Sequence, residues 1–78
     1  MILQEFCKTK GLTEREAQIV GLVLKGLSNL EIASLSFVRE KTIKYHLTGI
    51  YAKMNVKSRA QLIVTCLPFT YSLAISST

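Results

Sequence analysis

The chain has 78 residues, which is enough for one domain and too few for two. Its hydrophobic content of 49% excludes a disordered chain, and it has no run of about 20 apolar residues that could cross a membrane. The N-terminus also lacks the basic and apolar regions of a signal peptide. The net charge of +5 indicates an anionic partner, for which nucleic acid and a membrane surface are the two candidates.

The residues that carry chemistry in enzymes and metal sites are sparse. Cys7 and Cys66 match no metal-ligand spacing, and disulfides are rare in cytosolic proteins. Both are therefore predicted to be free, buried thiols in a reducing cytosol. His46 is the single histidine, there is no Asp, and no nucleophile–base pair is visible. The sequence predicts no enzyme activity, no cofactor and no metal site.

A first helix is predicted over about residues 14–25. Thr13 is followed three residues later by Glu16, the spacing of a capping box. An apolar run follows, and Gly26 supplies a left-handed stop after it.

A second, shorter helix is predicted over about residues 29–35. Ser28 and Glu31 repeat the capping-box spacing at its start. Ile32 and Ala33 are expected to face the core, and a turn follows at residues 36–38.

A third helix is predicted over about residues 40–54. Its apolar residues recur at the three- and four-residue intervals of one helix face. They are Ile43, Leu47, Ile50 and Met54. Asn55 is a plausible left-handed terminator.

A fourth helix is predicted to start near Arg59, after the capping residue Ser58, and to end before Pro68. Residues 60–78 carry no charge, although a solvated helix would. This segment either covers the domain's own core or forms a subunit interface, because large exposed apolar patches are rare on monomers.

No segment shows the alternation of a strand. Four short helices with tight turns predict an all-α fold, a four-helix bundle with a central helix-turn-helix. The chain is interpreted as one domain, with a lead-in over residues 1–11, a core over residues 12–67 and an uncharged tail over residues 68–78.

The face of the third helix opposite its apolar stripe is rich in hydrogen-bond donors. Lys41, Lys44, Tyr45 and Thr48 fall on it. The major groove of DNA offers acceptors on guanine and adenine and a methyl group on thymine. Lys suits guanine edges, and Thr and the Tyr ring suit thymine methyls. An ordinary solvated surface has the same spacing, but the helix-turn-helix context favours DNA.

Four motifs, in order along the chain, carry a resemblance to a known family. They are Leu12-Thr13-Glu14-Arg15-Glu16, Gly26-x-Ser28-Asn29-x-Glu31-Ile32-Ala33, Glu40-Lys41-Thr42-Ile43-Lys44-x-His46-Leu47-x-x-Ile50 and Lys53-x-x-Val56-x-Ser58-Arg59-x-x-Leu62. Over about residues 12–67 the chain closely resembles the LuxR/GerE/NarL-type DNA-binding domain. The resemblance implies that the third helix reads DNA, that the fourth helix carries a dimer, and that the protein regulates bacterial transcription in the cytoplasm, at the nucleoid.

The resemblance implies roles for particular residues. The base-reading positions are Lys44, Tyr45 and Thr48. The phosphate-binding positions are Lys41, His46, Lys53, Lys57 and Arg59, and Arg39, which replaces the usual Ser or Thr cap of the third helix, is expected to join them. The dimer is expected to use the apolar surplus of the fourth helix, which is Leu62, Ile63, Val64 and Leu67.

Two departures from the family pattern bear on partners. Leu30 stands where the family usually has Lys, and the order of Leu35 and Ser36 looks exchanged. Leu27, Leu30 and Leu35 could therefore form an apolar patch, either packed within the domain or docking another protein.

Sequence-specific DNA binding as a dimer is the leading interpretation. The alternative is an adaptor that binds a related regulator through apolar surfaces. Membrane-surface binding is disfavoured, because the cations and the apolar tail do not share one amphipathic helix. Whether the chain is a stand-alone regulator or the C-terminal domain of a longer one stays open.

Overall fold

The computed structural model describes the backbone of residues 2–76 and the side chains of residues 2–70. Within that range it contains five helices and no strand: α1 (Leu3–Thr9), α2 (Glu14–Leu24), α3 (Asn29–Ser36), α4 (Glu40–Met54) and α5 (Arg59–Ser76). The all-α prediction is confirmed, and the four expected helices are α2 to α5. The lead-in before residue 12 adds a further helix, α1. None of these helices is long and apolar enough to cross a bilayer.

Local capping sets the starts of α2 and α3 as the sequence predicts. The Thr13 hydroxyl accepts from the Glu16 N–H at 3.1 Å, and the Glu16 carboxylate accepts from the Thr13 N–H at 2.8 Å. Ser28 and Glu31 repeat both bonds at the same two distances. Each pair satisfies backbone donors that the first turn of a helix leaves without partners.

Helix ends are also local. Gly26 follows α2 with a φ of +88°, and Asn55 ends α4 with a φ of 56°. Phe37 ends α3 in the same left-handed region, with a φ of 58°, although a side chain there costs roughly 1–2 kcal/mol. Its ring is 95% exposed. The sequence predicts a turn at this point but not this conformation.

The core lies where α2, α3, α4 and α5 meet, and α1 closes it at one side. The predicted stripe of α4 is buried along its whole length, and Ile32 and Ala33 of α3 pack against it. Cys7 of α1 and Cys66 of α5 are both fully buried free thiols, as predicted. The stripe fixes which face of α4 points outward.

The prediction that the last helix ends before Pro68 is wrong, because α5 continues through this residue to Ser76. Proline inside a helix costs about 3 kcal/mol, since it lacks the N–H donor and crowds the preceding turn. Tertiary contacts offset that cost. The Phe69 ring, just beyond the proline, stacks on Phe6 of α1 with centroids 4.0 Å apart, and Cys66, just before it, is buried.

Candidate nucleic-acid interface

The outward face of α4 presents the predicted base-reading residues to solvent. Lys41, Lys44, Tyr45 and Thr48 are all exposed, and Tyr45 has 77% of its surface accessible. This face lies opposite the buried stripe because the two sets occupy opposite sides of one helix. The major groove of DNA is wide enough to admit an α-helix, and this outward face of α4 is rich in hydrogen-bond donors.

Two short-range contacts shape this face. The Thr48 hydroxyl donates to the Lys44 carbonyl at 3.1 Å, so its remaining polar capacity is as an acceptor and its methyl group is free to make apolar contacts. The Lys44 ammonium lies 3.9 Å from the Glu40 carboxylate, and both side chains are well exposed. Such a pair contributes little and breaks easily, so Lys44 is available to another acceptor.

Tyr45 and His46 sit edge to face on the flank of the helix, with ring centroids 6.0 Å apart and an interplanar angle of 64°. His46 is half-buried. A shallow groove between α2 and α4 is bounded by these two rings together with Glu16, Thr48, Gly49 and Lys53. Aromatic and donor groups therefore continue from the exposed face of α4 into this groove.

The sequence predicts that Lys53 lies free on the flank of α4, where it could meet phosphate. In the structure it is paired. Its ammonium lies 2.7 Å from Oε1 of Glu16, the oxygen that also accepts from the Thr13 N–H. The Glu16 side chain keeps only 11% of its exposure and Lys53 keeps 38%. The C-terminal half of α4 is thus tied to the capping box of α2.

Glu16 is ionised in this arrangement. Burial alone would raise the pKa of its carboxyl group, but the hydrogen bonds from Lys53 and Thr13 and the positive charge of Lys53 outweigh burial, and the pKa is lowered. A Cβ on Gly49 would lie 3.6 Å from the second carboxylate oxygen. The carboxylate therefore lies where α2 meets α4.

Arg59 also has an internal contact that the sequence did not predict. Its guanidinium donates to Oδ1 of Asn29 at 2.6 Å and to the Leu27 carbonyl. The side chain is half-buried, and it ties the first turn of α5 to the turn between α2 and α3. Two internal acceptors take two of its five N–H donors, so Arg59 makes a structural contact, and phosphate binding by the remaining donors stays a prediction.

Other predicted phosphate-binding residues remain at the surface. Arg39, Lys41 and Lys57 are exposed. Arg39 occupies the N-cap of α4 with no side-chain capping bond. At the start of α5, the Ser58 hydroxyl accepts from the Gln61 N–H, and the Lys57 N–H donates to the Gln61 side chain at 2.6 Å. These three cations stay candidates for phosphate binding.

The residues predicted to form a dimer interface divide between two faces of α5. Leu62 is fully buried in the protein's own core, so its assignment to the interface is wrong. Ile63 is half-buried and packs against the core. Val64 and Leu67 are 70% and 52% exposed, and Val64 borders a shallow groove between the start of α5 and the end of α4.

The leucines of the predicted apolar patch do not share one face. Leu27 is half-buried against the core, whereas Leu30 and Leu35 are 65% and 60% exposed. Five residues on an α-helix correspond to a rotation of about 140°, so Leu30 and Leu35 point in different directions.

Nothing in the described part of the chain suggests metal chemistry. Among residues 2–70, no three His, Cys or Glu side chains come together as ligands. Burial raises the pKa of both thiols, and it raises that of Cys66 to about 11, with the nearby Cys7 adding to the effect. A thiol with a raised pKa is a poor nucleophile and a poor ligand, so the cysteines act as small apolar core residues.

A family model described as bacterial regulatory proteins, luxR family, matches residues 10–66. The chain is 43% identical over 61 residues to the HTH-type transcriptional regulator MalT of Vibrio campbellii, covering 78% of this chain and 7% of MalT. It is 47% identical over 53 residues to the response regulator protein VraR of Staphylococcus aureus, covering 68% of this chain and 25% of VraR. The chain therefore spans a small part of the length of these relatives.

Proposed function

The chain belongs to the luxR family of bacterial regulatory proteins, and on that basis we propose that it regulates transcription by binding specific DNA sequences, with α4 in the major groove. The family and the two regulators similar to this chain support DNA-binding transcription regulation as the general activity. The observation that carries the finer proposal is the exposed donor face of α4, held outward by the buried stripe behind it.

Base reading is assigned to Lys44, Tyr45 and Thr48. The Lys44 ammonium has only donors, which match the O6 and N7 acceptors of guanine. The Tyr45 ring and the Thr48 methyl group suit the methyl group of thymine, and the Thr48 hydroxyl already donates its hydrogen bond to the Lys44 carbonyl. The expected half-site therefore contains both guanine and thymine.

Phosphate binding is assigned to the four cationic or donor groups that the fold does not already occupy, namely Arg39, Lys41, His46 and Lys57. Each ion pair with phosphate releases a counterion. The logarithm of the association constant then falls with the logarithm of the salt concentration, with a slope of about 0.9 per phosphate. Lys53 and Arg59 add less, because Glu16 and Asn29 hold them.

DNA binding is proposed to involve a homodimer formed through α5. Val64 and Leu67 are large apolar side chains exposed on this helix. A two-fold axis at this surface would cover both and present two copies of α4 to successive major-groove faces, roughly one helical turn apart. The DNA site is then an imperfect palindrome.

Substitution Val64→Glu places two like charges near that axis and should give folded monomers with much weaker DNA binding. Sedimentation measures whether the variant is a monomer, and circular dichroism measures whether it is folded. Leu30→Glu is the matched control, since Leu30 is similarly exposed but lies on α3, and it should leave the dimer intact. A Val64→Glu protein that stays dimeric at micromolar concentration rules out this interface.

The proposal is tested by selecting bound duplexes from a random-sequence pool at several salt concentrations. Enrichment of a two-fold related sequence supports it. Binding without enrichment at any salt concentration contradicts sequence-specific recognition.

A second function, an adaptor that binds a related regulator, is favoured by Leu30. This leucine is 65% exposed where the family usually has Lys, so the chain has an exposed apolar side chain in place of one cation. Absence of sequence enrichment, with hetero-complexes still formed and lost in Leu30→Lys, would favour the adaptor.

A further inference from the structure

A shallow groove on the outer side of α2 takes no part in the DNA-binding face. It is lined by Arg15, Gln18 and Leu22 of α2, by Lys25 at the C-cap of α2, and by Leu35 and Ser36 at the end of α3. We call it the α2–α3 groove. None of the residues assigned to base or phosphate binding lines it.

The middle of the α2–α3 groove is apolar. Leu22 is half-buried with one edge in the groove, and Leu35 is 60% exposed. The neighbouring Ser36 is half-buried, so the exchanged order of Leu35 and Ser36 puts the larger apolar side chain outside. An apolar side chain in this position gains free energy only when another apolar surface covers it.

The two ends of the groove are positively charged. Arg15 and Lys25 are both exposed, and neither forms an ion pair within the described side chains. No glutamate of the chain lines the groove. The two cations are ten residues apart, from the first turn of α2 to its C-cap, which corresponds to about 15 Å along the helix axis.

The geometry points to an occupant of one kind: an acidic amphipathic helix from a protein partner, lying along α2 over the α2–α3 groove. We propose that a leucine-sized apolar side chain of this helix covers Leu22 and Leu35, while carboxylates about three turns apart pair with Arg15 and Lys25. Helices commonly dock in grooves through apolar side chains three or four residues apart. Complementary charge at the two ends fixes the register of the docked helix.

Docking in this groove leaves the DNA-binding face uncovered. The base-reading residues Lys44, Tyr45 and Thr48 all belong to α4, and the groove contains no residue of that helix. The partner and DNA are therefore expected to bind at the same time, which would let the DNA-bound protein recruit a second protein.

The probe for this proposal is a synthetic 14-residue helical peptide with leucines at two central positions four residues apart and glutamates near both ends, ten residues apart. It is titrated into the full chain labelled with nitrogen-15. Amide shifts should appear at Arg15, Lys25 and Leu35 and leave Lys44 and Tyr45 unchanged. A second titration, in the presence of bound duplex, should give the same pattern.

Two control peptides separate the charge from the apolar contact. Replacing the glutamates by glutamine should weaken binding and remove its salt dependence. Replacing the leucines by serine should abolish it. Equal binding of the glutamine peptide would overturn the charge argument and with it the proposed class of partner.

Protein variants complete the test. Leu35→Ser should weaken peptide binding about tenfold, the amount expected for losing part of a leucine's burial. Leu30→Ser is the matched control, equally exposed on the same helix but facing elsewhere, and should bind the peptide unchanged. The proposal is overturned if Leu30→Ser and Leu35→Ser lose binding equally, if the acidic peptide fails to bind at millimolar concentration, or if duplex DNA alone shifts the groove residues.

Discussion

Two groups of cations that look alike in the sequence have different surroundings in the fold. Lys44 projects from the outward face of α4, and its nearest carboxylate, Glu40, is 3.9 Å away at the surface. Lys53, nine residues later on the same helix, is held at 2.7 Å by the largely buried Glu16. Arg59 is held by two acceptors on other elements. The availability of a cation to DNA therefore depends on which groups the fold places beside it.

Substitution of Arg59 should reduce stability more than that of Lys53 or Lys57, because it leaves two acceptors without a donor. Arg59→Ala should lower the free energy of unfolding by about 2–3 kcal/mol, the range for charge-assisted hydrogen bonds in a partly buried site. Arg59→Lys should recover little, because an ammonium cannot reproduce the guanidinium fork. Urea denaturation followed by circular dichroism measures both.

The matched control for Arg59 is Lys57→Ala, which removes an exposed cation two residues earlier. It should change stability by less than about 0.5 kcal/mol while lowering the salt slope of DNA binding by about one. The comparison fails if Arg59→Ala leaves stability unchanged and Lys57→Ala lowers it.

The Lys53–Glu16 pair should have a smaller effect. Lys53→Ala is expected to lower the free energy of unfolding by about 1 kcal/mol, since solvent screens a lysine that keeps 38% of its exposure. A double-mutant cycle with Glu16→Gln isolates the contribution of the negative charge to the pair, because the glutamine oxygen can still accept from the Thr13 N–H and from Lys53. A coupling energy near zero would show that the pair contributes nothing to stability.

Contacts between residues three or four apart could be predicted from the sequence, and contacts between distant residues could not. Capping boxes at Thr13 and Ser28 and the stripe of α4 depend on residues three or four apart, so their spacing is visible in the chain. Lys53 meets a partner 37 residues away, and Arg59 meets one 30 residues away, and no local pattern marks these pairs. The prediction that the last helix ends before Pro68 was wrong for the same reason. The stacking of Phe6 on Phe69 joins residues from opposite ends of the chain.

Two surface features also differ from the sequence-based expectation: the face of α5 that is exposed and the conformation of Phe37. The sequence predicted a dimer face from four apolar residues of α5, but helix periodicity with its neighbours turns Leu62 inward and leaves Val64 outward. The exposure of Phe37 follows from a left-handed turn that favours glycine or asparagine. Because Phe37 is neither glycine nor asparagine, the sequence did not predict a left-handed conformation at this position.

The smallest predicted effect is a pH dependence. The pKa of Glu16 is lowered in the fold from its ordinary value of 4.5, so its carboxylate stabilises the protein above that pH. The stabilisation is lost as the pH falls through the lowered pKa, because the protonated group no longer pairs with Lys53. Glu31, whose pKa the Ser28 N–H and hydroxyl lower, acts in the same direction.

Stability measured between pH 6 and pH 3 should therefore fall less steeply in Lys53→Ala than in the wild type, because Lys53 is one cause of the lowered pKa of Glu16. Glu31→Gln serves as the control: it should flatten the curve by its own amount and add to the effect of Lys53→Ala, since the two glutamates cap different helices. Identical acid profiles for wild type and Lys53→Ala would contradict the assigned role of the pair.

If the exposed face of α4 reads bases, Lys44 should contribute to the discrimination between DNA sequences. The measurement is the dissociation constant of the wild type and of Lys44→Ala for the selected duplex and for a scrambled one, at one salt concentration. Lys44→Ala should lose about 1–3 kcal/mol of discrimination between the two duplexes. Its affinity for the scrambled duplex should fall only by the amount expected from removing one positive charge. Equal loss of affinity for both duplexes would make Lys44 a phosphate contact and contradict the assignment of α4 as the reading helix.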